Sequence, residues 1–305
     1  MPGNRTVQAA QMTSHPGFIA ALDQSGGSTP KALQLYGIGK DAYASPAEMF
    51  DLIHAMRTRI AMAPAFTGDK VIGAILFDMT IERDIGGKPA ARYLWEERGV
   101  VPFLKVDKGL APPANGVQLM NPLPALDRMC DRAVAHGMFG TKMRAVINAA
   151  NSKGIRAIVA QQFRFGKQIL RHGLMPILEP EITITIEDKT KAEEMLLAEI
   201  LTSLDTLPAE QQIMLKLSLP TVPNLYAPLV AHPRVMRVVA LSGGFTQEEA
   251  NARLAQNIGI SASFSRALAE GLSIDQDDAV FHATIAATIG RIYAASVAGG
   301  PVAVQ

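Results

Sequence analysis

The chain has 305 residues, room for one large domain or two smaller ones, and 48% hydrophobic against 19% charged residues excludes a disordered chain. Lys and Arg number 29 against 28 Asp and Glu, with no basic run, so the charge pattern offers nothing to nucleic acid or to an acidic membrane. The single cysteine, Cys130, excludes an intrachain disulfide framework and fits a reducing, cytoplasmic setting.

Residues 1–16 carry no signal-peptide apolar region and read as a short flexible lead-in. No segment reads as long and apolar enough to span a bilayer. The first strand is expected over 18–22, "FIAAL", and runs into the loop "DQSGGSTPKAL". A helix follows in "SPAEMFDLIHAMRTRI": Ser45 is the N-cap, Pro46 stands at N1 and Glu48 closes a capping box. Its Met49, Leu52, Ile53, Met56 and Ile60 share one face. Strands are expected next over 71–77 and 100–106. In "LDRMCDRAVAHG", Cys130 sits among Leu126, Met129, Ala133 and Val134 at helical spacing, which makes it a core residue rather than a nucleophile. Further strands are expected over 138–143, 175–182, 213–218, 235–242 and 260–265. Between them "EDKTKAEEMLLAEILTSL" and "TQEEANARLAQ" are helical, the latter with Thr246 and Glu249 as a second capping box. "DDAVFHATIAATIGRIYAA" is the last helix, ahead of a C-terminal tail over about 297–305.

Eight near-continuous apolar runs alternating with helices predict parallel strands covered on both faces. One uninterrupted chain of this size then predicts an α/β fold with a single (β/α)8 TIM barrel domain over 1–305. A doubly wound sheet is disfavoured. Its Gly-x-Gly-x-x-Gly fingerprint is absent after the first strand, and "DQSGGSTPKAL" is not a Walker loop either.

Polar residues interrupt the strands toward their C-terminal ends: Asp23, Lys105 and Asp107, Lys142, Glu179 and Glu181, Lys216, Ser242 and Arg266. Each alone has an ordinary explanation as a strand terminus. Together they fall on the barrel face where active sites form. Lys216, in "QQIMLKLSLPT", has two readings: an edge lysine that snorkels to water, or a buried amine whose pKa is tuned for chemistry. Glu179 and Glu181 lie two apart and so face the same way on a strand; sharing a dry lumen, one would hold its proton near neutral pH. Lys105 and Lys142 would oppose the charge on Lys216, and the glutamates would favour it.

The loop "LSGGFTQEEA" places Ser242, Gly243 and Gly244 before a capped helix, an anion-binding arrangement that Arg266 in "SASFSRAL" would complete. Ser25, Ser28 and Lys31 of the first loop offer a second anion site, or else a simple helix start with Thr29 as cap. Histidines 15, 54, 136, 172, 232 and 282 are scattered, with no pair at ligand spacing, so no metal site is expected.

In this order, "FIAALDQSGGS", "FLKVDKG", "FGTKMR", "PILEPE", "MLKLSLP", "LSGG" and "SFSRAL" resemble the class I fructose-bisphosphate aldolases, from about Gly17 to the last helix. The first loop is similar to the bacterial branch. The resemblance implies a (β/α)8 barrel and reversible cleavage of fructose 1,6-bisphosphate to dihydroxyacetone phosphate and glyceraldehyde 3-phosphate. No metal or other cofactor is implied. By the same resemblance Lys216 is the imine-forming nucleophile, Glu179 its acid/base, and Asp23 the carboxylate near the C4 hydroxyl. Glu181 and Lys142 position and tune the nucleophile, and Lys105 contacts substrate. Ser242, Gly243, Gly244 and Arg266 hold the C1 phosphate, with Ser263 or Ser265 adding a contact. The chain departs from animal members in having Ala32 where they carry a first-loop arginine, Lys31 being the nearest substitute, and in having no tyrosine after Tyr293. The rivals are a Schiff-base aldolase for another sugar phosphate such as tagatose 1,6-bisphosphate, a non-catalytic scaffold, and a metal-dependent aldolase, which the scattered histidines disfavour. The oligomeric state is left undetermined by these features.

Overall fold

The structure is a computed structural model and describes residues 2–298. Eight strands hydrogen-bond in chain order, every neighbouring pair parallel: β1 (Phe18–Leu22), β2 (Val71–Leu76), β3 (Val101–Lys105), β4 (Gly140–Ile147), β5 (Met175–Ile182), β6 (Ile213–Ser218), β7 (Val235–Leu241) and β8 (Ile260–Ala262). The Ala21 N–H donates to the Phe264 carbonyl at 3.0 Å and joins the last strand to the first. The ring is the expected (β/α)8 barrel.

Around it run α2 (Thr29–Leu35), α3 (Pro46–Met62), α4 (Leu126–Ala135), α5 (Ser152–Arg171), α6 (Lys189–Leu204), α7 (Gln247–Leu254) and α8 (Asp278–Val297). The Ser45 hydroxyl accepts from the Glu48 N–H at 3.2 Å, and the Glu48 carboxylate accepts from the Ala44 N–H at 2.6 Å. Glu48 thus reaches one residue before the N-cap rather than the Ser45 N–H of the expected box, and at α7 too only half of the box forms. Thr246 caps the Glu249 N–H at 3.2 Å, but the Glu249 carboxylate turns to Arg253, one turn on.

The period-2 alternation of the strands divides the apolar residues into two cores. Ile53, Ile60, Leu104, Ile158, Leu178 and Leu215 lie between sheet and helices. Ile19, Ile72, Ile75, Val101, Phe103, Phe139, Ile177, Met214 and Val239 fill the barrel itself. The next inward positions after Phe103, Ile177 and Met214 are Lys105, Glu179 and Lys216. The strand period therefore carries the lumen from hydrocarbon to charge in one step.

Three expectations are corrected. The N-terminus is not flexible: Pro2–Ser14 is a helix, α1, that closes the bottom of the barrel. Met12 is fully buried in the lumen core, Gln11 Nε2 donates to the Ile72 and Gly99 carbonyls at 2.9 and 2.8 Å, and Arg237 Nε donates to the Met12 carbonyl at 2.6 Å. Second, α8 does have the length and composition of a membrane span. It nonetheless packs Phe281, Ile285, Ile289 and Ile292 into the outer core. Third, strand lengths shift. β4 runs on to Ile147, because β5 pairs with it past the polar Lys142 and Arg144. β8 stops at Ala262, where the chain leaves the ladder. Of the expected C-terminal tail, residues 299–305 lie outside the described residues.

Candidate active site

Asp23 just past β1, Lys105 at the end of β3, and Lys142, Glu179 and Lys216 within β4, β5 and β6 come together in one buried cluster. Lys216 is 3% exposed, so the snorkelling reading fails. Its Nζ lies 3.1 Å from Glu179 Oε1. The other oxygen, Oε2, pairs with Lys142, which in turn reaches Asp23 Oδ2 at 2.8 Å. One carboxylate thus bridges two ammonium groups. Lys105 Nζ donates to Ser25 Oγ at 3.1 Å and lies 3.5 Å from Asp107 Oδ1.

The electrostatics follow from this packing. Burial raises the Asp23 carboxyl, but the charges of Lys142, Lys216 and Lys105 outweigh it and hold the group well below the usual carboxylate range. Glu179 is subject to the same burial and is likewise held down, by Lys142 and Lys216. Burial disfavours the charge on Lys142, yet Asp23, Glu179 and Asp107 raise it above the ordinary lysine value. The expectation that Glu179 and Glu181 share the lumen, one of them holding its proton, is therefore corrected. Glu181 lies at the half-buried rim, paired with Arg144 Nε, and is not among the partners of Lys216 or Lys142. Arg144 stands two residues past Lys142 on the strand beside β5, so a cation waits for each glutamate.

The Ser242–Gly244 loop follows β7, with Gly243 and Gly244 at φ of +62° and +120°, a conformation open to glycine. A Cβ on Gly244 would lie 3.7 Å from Arg266 Nη2, so the absent side chain leaves room beside that guanidinium. Arg266 does not close the last strand as expected; it is exposed and opens the short helix Arg266–Ala269. Ser263 is buried, and its hydroxyl has no hydrogen-bond partner among the described residues. Ser265 accepts from Gln24 Nε2 at 2.8 Å instead. The α7 N-terminus is less open to an anion than its sequence suggests, because Thr246 and the Glu270 carboxylate already accept from its Glu249 and Gln247 N–H groups.

In the first loop the two serines part. Ser25 reaches the cluster through Lys105, whereas Ser28 is exposed and its hydroxyl folds back onto the Ser25 N–H at 3.1 Å. Lys31 is exposed on α2.

Several residues that shape the site escaped the sequence. Arg57, 2% exposed in α3, donates to the Gln24 carbonyl at 2.5 Å and to Thr80 Oγ1 at 2.8 Å, fixing the turn beside Asp23. Its position four residues after Ile53, on the apolar face, was the readable signal. Gln162 in α5 accepts the Glu179 N–H at 3.1 Å, and Ser218 bonds to Ile182. Neither carries a charge or motif that would single it out.

A (β/α)8 barrel whose open end holds a buried lysine against a buried carboxylate has the amine and the acid/base group that a lysine-imine enzyme requires. Comparison with known proteins narrows the class. The family described as glycolytic fructose-bisphosphate aldolase class-I matches residues 7–228. A relative from Porphyromonas gingivalis named fructose-bisphosphate aldolase class 1 is 57% identical over 95% of this chain and 98% of its own length. Relatives of the same name from Synechocystis and Clostridium acetobutylicum are 53% and 52% identical, each over 95% of this chain, covering 97% and 99% of their own lengths. A solved fructose-bisphosphate aldolase from Plasmodium falciparum, crystallised with TRAP and an inhibitor, has the same fold. It superposes with a TM-score of 0.77 at 20% identity, over 99% of this chain and 96% of that one. The chain belongs to the class I fructose-bisphosphate aldolase family.

Proposed function

We propose that this chain cleaves fructose 1,6-bisphosphate reversibly to dihydroxyacetone phosphate and glyceraldehyde 3-phosphate through an imine on Lys216. The observation that carries the reading is the 3.1 Å contact between Lys216 Nζ and Glu179 Oε1 in a buried lumen. General acid–base transfer needs heavy atoms within about 2.6–3.2 Å. Glu179 takes a proton from Lys216, and the free amine adds to the C2 carbonyl. Glu179 then protonates the carbinolamine hydroxyl, which leaves as water, and the iminium forms. Asp23, kept ionised by Lys142, takes the C4 hydroxyl proton. The C3–C4 bond breaks, its electron pair moves to the iminium nitrogen, and the aldehyde departs. Protonation of the enamine at C3 and hydrolysis return the lysine.

Lys142 keeps Asp23 and Glu179 ionised and apart. Glu181 positions Arg144 at the rim. Lys105, through Ser25, contacts substrate oxygens. Ser242, Gly243, Gly244, Arg266 and the free hydroxyl of Ser263 take the C1 phosphate, and the first loop with Ser28 borders the second phosphate. The described residues form one barrel domain, and the balanced charge and lone buried cysteine fit a cytoplasmic enzyme. Borohydride reduction with dihydroxyacetone phosphate, followed by peptide mapping, should place the adduct on Lys216. An adduct on Lys105 or Lys142 would reassign the nucleophile. A cleavage assay on fructose and tagatose bisphosphates side by side sets the substrate.

A further inference from the structure

One ladder of the sheet is cut short beside the proposed chemistry. β4 pairs with β5 along eight residues, from Gly140 opposite Met175 to Ile147 opposite Ile182. β5 pairs with β6 only at Ile177 opposite Met214 and Leu178 opposite Leu215. The ladder stops one residue short of Glu179 and Lys216. Pro180 comes next on β5 and has no N–H to donate. Past this gap a side chain rejoins the strands. Ser218 Oγ accepts from the Ile182 N–H at 2.9 Å and donates to the Ile182 carbonyl at 2.7 Å, with both residues buried.

We propose that Ser218 is a positioning residue that sets the separation of Glu179 and Lys216 by stapling the ends of β5 and β6. The proposal rests on the reading of Lys216 as the imine-forming residue. Lys216 lies two residues before Ser218, and Glu179 three before Ile182. The staple therefore fixes the far end of both short segments. The 3.1 Å gap stands near the upper limit for direct proton transfer, so a small opening of the seam moves the pair out of reach. The loop beyond Ser218 is anchored separately. Lys189 Nζ donates to the Leu219 carbonyl at 2.9 Å, and Glu193 Oε2 accepts from the Thr221 N–H at 3.0 Å. Removing the hydroxyl thus takes away the tie between β5 and β6 past the gap, while the loop anchors and the backbone pairing of Ser218 with Leu241 of β7 remain.

The test compares wild type, Ser218→Ala and Ser218→Thr. It follows the rate of borohydride trapping with dihydroxyacetone phosphate, kcat and KM for cleavage, and the melting temperature. Ser218→Ala should lower the trapping rate and kcat about 10- to 100-fold with KM within about threefold, and Ser218→Thr, which keeps the hydroxyl, should restore most of the rate. Trapping of Ser218→Ala at the wild-type rate overturns the proposal. So does an equal loss in the folded Ala and Thr variants. Should Ser218→Ala not fold, Ser218→Cys keeps the volume with a weaker hydrogen bond and is judged by the same criteria. Failure of the wild type itself to trap on Lys216 overturns the functional reading, whereas wild-type trapping with an unaffected Ser218→Ala overturns only the role of Ser218.

Discussion

Of the places in this molecule that set a cation between two carboxylates, one buried and one exposed behave differently. At the barrel mouth Lys142 stands between Asp23 and Glu179, all three buried. On the surface His172, at the end of α5, stands 2.9 Å from both Asp127 and Asp131 of α4. The aspartates of the surface group are exposed, so water already solvates them and the pairing changes little. At the mouth burial leaves water little access, and the carboxylates share their cations. Glu179 answers by bridging Lys142 and Lys216. Burial, rather than ion pairing as such, turns a salt bridge into a proton-transfer device.

The sharpest break in the comparison comes from taking away the second lysine on Glu179. Lys216→Met should keep the fold, since Met is apolar and of similar length, and should cut cleavage to less than about 10⁻⁴ of wild type. A folded variant retaining a tenth of the activity would remove Lys216 from the mechanism.

Next in size is Lys142→Met. It leaves Asp23 and Glu179 in the lumen with one cation fewer, and breaking a buried pair costs about 3–5 kcal/mol. Chemical denaturation should show that loss together with a collapse of activity. A stability within about 1 kcal/mol of wild type would mean that the mouth is wetter than its burial indicates.

Much of this was legible beforehand, and the boundary is physical. Recurrence of charge at strand ends marked the open face, and strand period 2 set Glu179 and Glu181 on one side, while Lys216 was left with two readings that only its burial decides. What the sequence hid depends on partners far apart in the chain. The pairing of Glu181 with Arg144 depends on how β4 and β5 are staggered, and no local pattern reports that stagger. The α1 plug was misread because a helix with a weakly apolar face looks like a loose end until a barrel floor exists to receive Met12. Ser218 and Gln162 act through neutral hydrogen bonds, which leave no compositional trace.

The pH response separates the two groups by sign. Asp23 and Glu179 have folded pKa values below the ordinary carboxylate range, so their contribution to stability is present above about pH 4 and lost as pH falls below it. His172 is raised, first by its bond to Asp127 and then by that to Asp131. Its contribution is full below about pH 6.5 and is lost as pH rises through the folded value. Melting temperatures between about pH 3 and pH 5 should fall more steeply for wild type than for Asp23→Asn. Parallel acid slopes would show that Asp23 is not ionised against Lys142.

The smallest effect belongs to the surface group, and its smallness is what the comparison requires. His172→Gln removes a cation from between two aspartates, as Lys142→Met does, but the surroundings are water. The aspartates lose a neighbour and keep their hydration, so the melting temperature should drop by no more than about 3 °C near pH 6. By about pH 9 the drop should vanish, because wild-type His172 is then neutral as well. Added salt should shrink the difference at pH 6, since exposed charges are screened over about 10 Å at 0.1 M. Cleavage activity should be unchanged throughout, because α4 and α5 meet here on the outer surface and the imine site lies in the lumen. A drop that persisted at pH 9 and in high salt would point to packing of the imidazole rather than its charge. A loss of activity in a fully folded His172→Gln would show that α5 transmits surface changes to Glu179, through the bond that the Glu179 N–H donates to Gln162 Oε1.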